Sequence, residues 1–308
     1  MASLHHLAFN LVSFATYWVL VVPLAIPWVA LGTRRVLARW WLLGLAAIFA
    51  WWVSPTYPRA ILVVVAVTAA LGTAVLWDVL AQARNSSDGW ELALALWLLL
   101  ALPALVYVHF PSKYLVTSAP AAAILVARAI EARNSRGARL LGWSVAAAGI
   151  ALGCAILKAD ARFAGLARRA VTHLVVPQVA AGKRVWFAGH WGFQWYAARA
   201  GAHYLTSVPP YPARGDMLVT TLRSAPSPSA DCYPNRLPIA GVGDRTPGGR
   251  ILLPELGVGF FTNAGGVLPW AWSDQPVDHF VLSVINQSGP TAPRPKEAPA
   301  LTTTVDRR

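Results

Sequence analysis

Six stretches of this chain run without a single Asp, Glu, Lys or Arg: Leu7–Thr33, Trp40–Pro58, Ala60–Trp77, Leu92–Ser112, Tyr114–Ala127 and Leu140–Leu157. A helix needs about 20 residues to cross the hydrocarbon core of a bilayer. Four of the runs approach or exceed that length, and the run from Leu140 nearly does. The run from Tyr114 is short, but Arg128 can snorkel to the interface and lengthen it by a turn. Charged residues make up only 13% of the chain and hydrophobic residues 56%, against roughly 25% charged in an ordinary soluble domain. The expected fold is therefore a polytopic α-helical membrane protein of about six transmembrane helices. The charged, Pro- and Gly-containing second part is expected to form a small α/β extracytoplasmic domain. These expectations set a membrane region over 1–157, an exported mixed domain over 158–287 and a disordered tail over 288–308.

The first apolar run is not expected to be a signal peptide, since no Lys or Arg precedes it and no small-residue cleavage site follows before Arg34. Cytoplasmic loops accumulate Lys and Arg. One set of short loops holds Arg34, Arg35 and Arg39, then Arg84, then Arg128, Arg133, Arg136 and Arg139, whereas the alternate set holds Arg59 and Lys113. The first set is expected on the cytoplasmic side. Met1, Arg59, Lys113 and the whole second part are then expected on the outer side, and an outside start leads us to expect further spans upstream of Met1.

Within the runs, Pro23, Pro27, Pro103 and Pro120 read as kinks whose freed carbonyls neighbouring helices satisfy. Trp40, Trp41, Trp51 and Trp52 read as an interfacial anchoring belt. Asp78, Asp88, Glu91 and Glu131 fall at the cytoplasmic ends of the runs, which leaves no acid inside a span. Cys154 and Cys232 lie in different environments and are not expected to pair, and neither a metal motif nor a cofactor motif is present.

The second part opens with an amphipathic segment, Ala161–Ala181, expected to continue from the last span or lie beside it. A β-rich run (Lys183–Ala188), a short helix (Trp191–Ala200), and strands around His203–Val208 and Met217–Leu222 follow. Later strand candidates are Arg250–Leu253, Leu256–Thr262 and His279–Ile285. The composition of the last twenty or so residues is that of a disordered tail.

Three segments carry a family resemblance. They are KYLVTSAPAAAILVAR from Lys113, VWFAGHWGFQWYAARAGAHYL from Val185 and LGVGFFTNAGGVLPWAWSDQPVDHF from Leu256. Together they resemble the bacterial aminoarabinose and protein-mannosyl transferases, GT-C class glycosyltransferases that use polyprenyl-phosphate sugars. The resemblance covers roughly Phe110 to Ile285. It implies a multi-pass protein of the bacterial cytoplasmic membrane with an external C-terminal domain, and a catalytic acid in the first external loop. The external residues expected before the third run, Met1–His6 and Ser54–Arg59, contain no Asp or Glu. The chain therefore reads as the C-terminal portion of such an enzyme, inactive alone, with its general base on a separate N-terminal half or subunit. The alternative is a non-catalytic integral membrane accessory or binding subunit.

Sugar transfer from a lipid phosphate builds negative charge on the departing phosphate, and positive groups nearby stabilise it. Lys113 is the leading candidate to meet a headgroup phosphate, with Tyr114 donating a hydrogen bond. Arg59, which can bind phosphate bidentately, is the second. His190 and Trp191, in GHWG between a strand and a helix, are candidates to touch a phosphate or stack on a sugar. For each there is a plainer reading. Lys113 and Arg59 can simply snorkel, His109 can be a polar helix end, and GHWG can be a tight turn. Trp270 and Trp272 read as interfacial packing. The net charge of +13 is spread over loops, domain and tail without a basic stripe, which fits anionic lipid headgroups and not nucleic acid. A transporter is disfavoured because no internal repeat is visible.

Overall fold

In hydrocarbon a backbone has no water to satisfy its peptide groups, and a helix pairs them within one segment; the apolar runs fold accordingly. The structure is a computed structural model that describes residues 4–22, 28, 41–53, 57–107, 109–224, 228–287 and 289–291. Two compact units are present. Unit 1 comprises Met1–Asp160 and Pro247–Asp274, and unit 2 comprises Ala161–Thr246 and Gln275–Arg308. This differs from the expected cut at 157, because Pro247–Asp274 returns to the helical unit. Nearly all of the tail over 288–308 lies outside the described residues.

Unit 1 contains α1 (Leu4–Leu20), α2 (Trp41–Val53), α3 (Arg59–Asn85), α4 (Gly89–Trp97, continued as a 3-10 helix over Leu98–Val106) and α5 (Ala119–Arg133, preceded by a 3-10 helix over Ser112–Ser118). The first part of α6 (Arg136–Ala170) also belongs here. Among the described residues, Arg59–Asn85, Gly89–Val106, Ser112–Arg133 and Arg136–Ala180 are long and apolar enough to cross a membrane, and Trp41–Trp52 is a shorter apolar helix. Large side chains such as Val63, Trp77, Leu100 and Ile150 point outward from them, as suits a chain associated with a membrane through apolar helices. The first expected span is helical over Leu4–Leu20, while Pro23, Pro27, Arg34, Arg35, Arg39 and Trp40 lie outside the described residues.

Pro120 lies where the 3-10 helix over Ser112–Ser118 passes into α5, inside the continuous helical stretch Ser112–Arg133, as a proline within a span. One expectation about the helices is corrected. Asp78 lies inside α3 and is 2% exposed. Trp28 Nε1 donates to its carboxylate at 2.9 Å and Gln82 Nε2, one turn on, at 2.5 Å. Short-range donors of this kind let a carboxylate stay buried.

α1 and α3 pack at van der Waals contact of their backbones. A Cβ built on Gly72 would fall 2.0 Å from the carbonyl oxygen of Ala15, so only glycine fits that crossing. Beside it an aromatic cluster fills the core. Tyr17 stacks on Phe110 with centroids 6.1 Å apart, and Phe14 and Tyr114 meet the same ring edge-on.

The returning segment forms two small ribbons, β5 (Gly248–Arg250) with β8 (Ala271–Ser273) and β6 (Leu252–Leu253) with β7 (Val258–Gly259). Leu253, Val258, Val267 and Leu268 bury their side chains with Ala8, Val12 and Val65 of α1 and α3. Trp270 Nε1 donates to the Leu20 carbonyl at 3.1 Å, so its ring is fixed within unit 1, whereas Trp272 is 74% exposed.

In unit 2 the sheet runs β2-β1-β3-β9-β4. β1 (Val185–Ala188) pairs in parallel with β2 (His203–Tyr204) and with β3 (Met217–Thr221). β9 (His279–Ile285) lies antiparallel between β3 and β4 (Arg236–Gly243). Ala161–Ala170, the end of α6, runs on through a π turn (Val171–Val175) into α7 (Val176–Ala180), so the amphipathic segment continues the last apolar helix. Pro177 supplies the reason for the wide turn, since it has no N–H to return to the preceding turn. Leu166, Ala170 and Leu174 of this segment pack with Phe187, Val219, Phe280 and Leu282 of the sheet. β9 matches the strand expected over His279–Ile285, but β4 here and β8 in unit 1 had no counterpart in the sequence reading. Pro238 of β4 marks a bulge on an edge strand, a place that tolerates a residue without an N–H.

Candidate functional site

The chain between α4 and α5 leaves helical geometry at Tyr107 and regains it at Ser112, which frees backbone groups that need partners. Two asparagines supply them. Asn10 Nδ2 on α1 donates to the carbonyls of Leu105 and Tyr107 at 2.7 and 2.9 Å. Asn263 Oδ1 accepts the Phe110 N–H at 2.7 Å, while its Nδ2 donates to Asn10 Oδ1 at 2.8 Å and Ser13 Oγ at 3.0 Å. Ser112 Oγ then donates to the Phe260 carbonyl at 2.8 Å. The break is thus held from three sides.

Lys113 follows at once and is exposed, in the first turn of the helical stretch Ser112–Arg133. Tyr114 is half-buried with its ring edge-on to Phe110, so packing fixes its ring beside the lysine. Arg59, also exposed, is the first residue of α3, behind Pro58. Gly257 lies so close to Tyr57 that a Cβ there would fall 2.6 Å from its ring, and Phe260, three residues on, holds Ser112. The returning segment therefore touches the chain two residues before Arg59, at Tyr57, and directly before Lys113, at Ser112. His109 is exposed at the break.

Cations are favoured at helix C-termini and opposed by the dipole at N-termini. Arg84 and Arg133 follow the rule in the last turns of α3 and α5. Arg59 and Lys113 break it, and neither forms an ion pair among the described residues. At each of these two helix starts cation and dipole add to a positive field, which is what an anion needs.

His190 and Trp191 belong to unit 2 and form the turn from β1 into α8 (Trp191–Arg199). A Cβ on Gly189 would meet Thr221 Cγ2 at 2.7 Å and Phe193 Cδ1 at 2.8 Å, so the glycine is required by close approach. The His190 N–H donates to the Ser224 carbonyl at 3.0 Å, and its ring nitrogen Nε2 lies 3.2 Å from the Tyr204 hydroxyl. Trp191 has φ +57 and is 50% exposed. A bulky residue in the left-handed region is strained by of order 1–3 kcal/mol. On the same helix Arg199 sits 4.8 Å over the Trp195 ring, so Trp191, Trp195 and Arg199 line one exposed face at four-residue spacing.

Asp278 organises the neighbouring loop after β3. Its fully buried carboxylate accepts the hydroxyls of Thr221 and Ser224 at 2.8 and 2.6 Å. It also accepts the N–H groups of Leu222, Arg223, Ser224 and His279 at 2.7–3.1 Å. Asn10, Asn263 and Asp278 were not singled out in the sequence. The usable signals were one amide inside an apolar run and an acid directly before a strand. Among the described residues no cluster of His, Cys, Asp and Glu could hold a metal, and both cysteines are free. No family model, curated protein or solved structure matches this chain.

Proposed function

We propose that the chain is the lipid-phosphate-binding portion of a GT-C type membrane glycosyltransferase. In this reading Lys113 and Arg59 contact the phosphate of a polyprenyl-phosphate sugar at the outer face of the bacterial cytoplasmic membrane. The observation that carries it is the pair of exposed, unpaired cations at two apolar-helix starts beside Gly257–Phe260. In the reaction, an acceptor hydroxyl gives its proton to a base and its oxygen bonds to the sugar C1. The bond from C1 to the phosphate oxygen breaks, and the electron pair leaves with the polyprenyl phosphate. Lys113 and Arg59 stabilise the charge that this step adds to the leaving phosphate. In this reading the base lies on another segment or subunit, because the external residues expected before the third run, Met1–His6 and Ser54–Arg59, carry no Asp or Glu. The resemblance in KYLVTSAPAAAILVAR and GHWGFQ supports the assignment of substrate class.

Binding of a short-chain prenyl phosphate, and of the corresponding prenol, to the purified full chain tests the reading. The phosphate is expected to bind at least tenfold tighter, an advantage of about 1.4 kcal/mol, and Lys113→Gln is expected to remove it. Equal binding of phosphate and alcohol, or an unchanged advantage in Lys113→Gln and Arg59→Gln, overturns the assignment. Sugar transfer by the chain alone overturns the separate base.

A further inference from the structure

At the opposite end of the Ser112–Arg133 stretch, Asn134 turns the chain with φ +39 and α6 begins at Arg136. α5 and α6 touch near this turn, where a Cβ on Gly142 would fall 2.8 Å from Ile130 Cδ1. Beyond that contact lies an open apolar cleft of about 660 Å³, lined by Ala123 and Val126 of α5, by Ala146 and Gly149 of α6, and by Val21 and Val22 just after α1. The volume is that of an ordinary small-molecule site, yet the membrane-length part of α6 beside it has no buried residues. In a bilayer something apolar must fill such a space.

Its length and its charged end narrow the occupant. Ala119 to Glu131 on α5 is about 18 Å at 1.5 Å per residue, and Arg139 to Gly149 on α6 is about 15 Å. That is roughly half of the ~30 Å hydrocarbon core, hence the depth of one leaflet and too short for a second membrane-crossing helix. Arg139 stands at the hairpin end and forms no ion pair among the described residues. Trp143 is one turn deeper and 77% exposed, at the level where indole rings meet headgroups. Glu131 is also at this end, but its charge acts on Arg128, which already pairs with Asp88 and Glu91. Arg133 and Arg136 are exposed on the same turn, so the mouth is net positive.

We propose that this cleft seats an acyl chain of an anionic phospholipid whose phosphate rests on Arg139. The site is independent of Lys113 and of glycosyl transfer, and its failure leaves that reading untouched.

Native mass spectrometry of the full chain in mild detergent, titrated with phosphatidylglycerol or phosphatidylcholine, tests it. Phosphatidylglycerol is expected to be retained about tenfold more tightly. Ala146→Leu with Gly149→Leu should fill the cleft and abolish retention of both lipids, whereas Arg139→Gln should equalise them. Gly153→Leu is the folding control, since a Cβ there meets nothing within 4 Å, and it should bind as the parent does. The proposal is overturned by equal retention of the two lipids in the parent, by retention that survives cleft filling, or by a dimer that cleft filling dissolves.

Discussion

Asn263 Nδ2 donates to Asn10 Oδ1 across 2.8 Å, although the two residues are 253 positions apart in the chain. Through it the returning segment, α1 and the break before Lys113 share one hydrogen-bond network. Asn263→Ala removes one acceptor and two donors from a buried cluster, and each orphaned group costs about 1–3 kcal/mol. The variant is expected to lose at least 3 kcal/mol in denaturant unfolding. Asn263→Asp keeps the acceptor for Phe110 but sets a buried carboxylate against the oxygens of Asn10 and Ser13, and should be destabilised at least as much. A variant as stable as the parent would show that the network carries no weight.

Gly72→Val should separate α1 from α3, because its first carbon would overlap the Ala15 carbonyl. A cost of about 3 kcal/mol or more is expected, at the upper end for overpacking. Gly44→Val is the control, since a Cβ there meets nothing within 4 Å. Thermal unfolding in detergent separates the two, and equal midpoints contradict the close crossing.

Trp191 is expected to respond to backbone freedom more than to side-chain size. Trp191→Gly relieves the left-handed strain and should be at least as stable as the parent, while Trp191→Val should be less stable by about 1 kcal/mol or more. A Gly variant less stable than the Val variant would mean that the indole packing, and not the turn, holds this residue.

How far the sequence reached depended on whether a feature was local. Charge-free runs and Pro-free stretches mark helices by themselves, and β9 was readable from His279–Ile285 because every residue there suits a buried strand. The GHWG turn was readable for the same reason, since its glycines serve contacts within a few residues. The break before Lys113 looked like a simple turn between two spans, because its stability comes from Asn10 and Asn263, which sequence spacing cannot connect. Asp78 was placed at a helix end because the ends of apolar runs are judged from charges, and a buried carboxylate with a tryptophan and a glutamine as donors looks the same in the sequence as an exposed one. The small ribbons of Pro247–Asp274 read as domain strands; their apolar residues gave no indication of which unit they bury against.

Asp244 makes unit 2 sensitive to acid. Burial pushes its carboxyl up, but the Thr246 N–H and the Arg162 guanidinium outweigh it and hold the group down to about 2, against an ordinary 3.8. The folded value lies below the unfolded one, so this contribution is complete above about pH 4 and is lost as the pH falls toward 2. It amounts to on the order of 1–2 kcal/mol. Asp244→Asn should flatten the acid limb of the unfolding midpoint against pH and lower the plateau at neutral pH. An unchanged acid limb removes Asp244 from that role.

The return of Pro247–Asp274 to the helical unit also sets an order of events during synthesis. Asn10 is made 253 residues before its partner in the network, Asn263. Until then the break before Lys113 has lost one of the two side chains that hold it, and the helices inserted early must wait with buried amides unsatisfied. A chain released after Asp160 would carry the apolar helices described for the unit and still lack the piece that ties Asn10 to the break. Assembly of the membrane part is therefore a late, post-insertion step, completed from the C-terminal side.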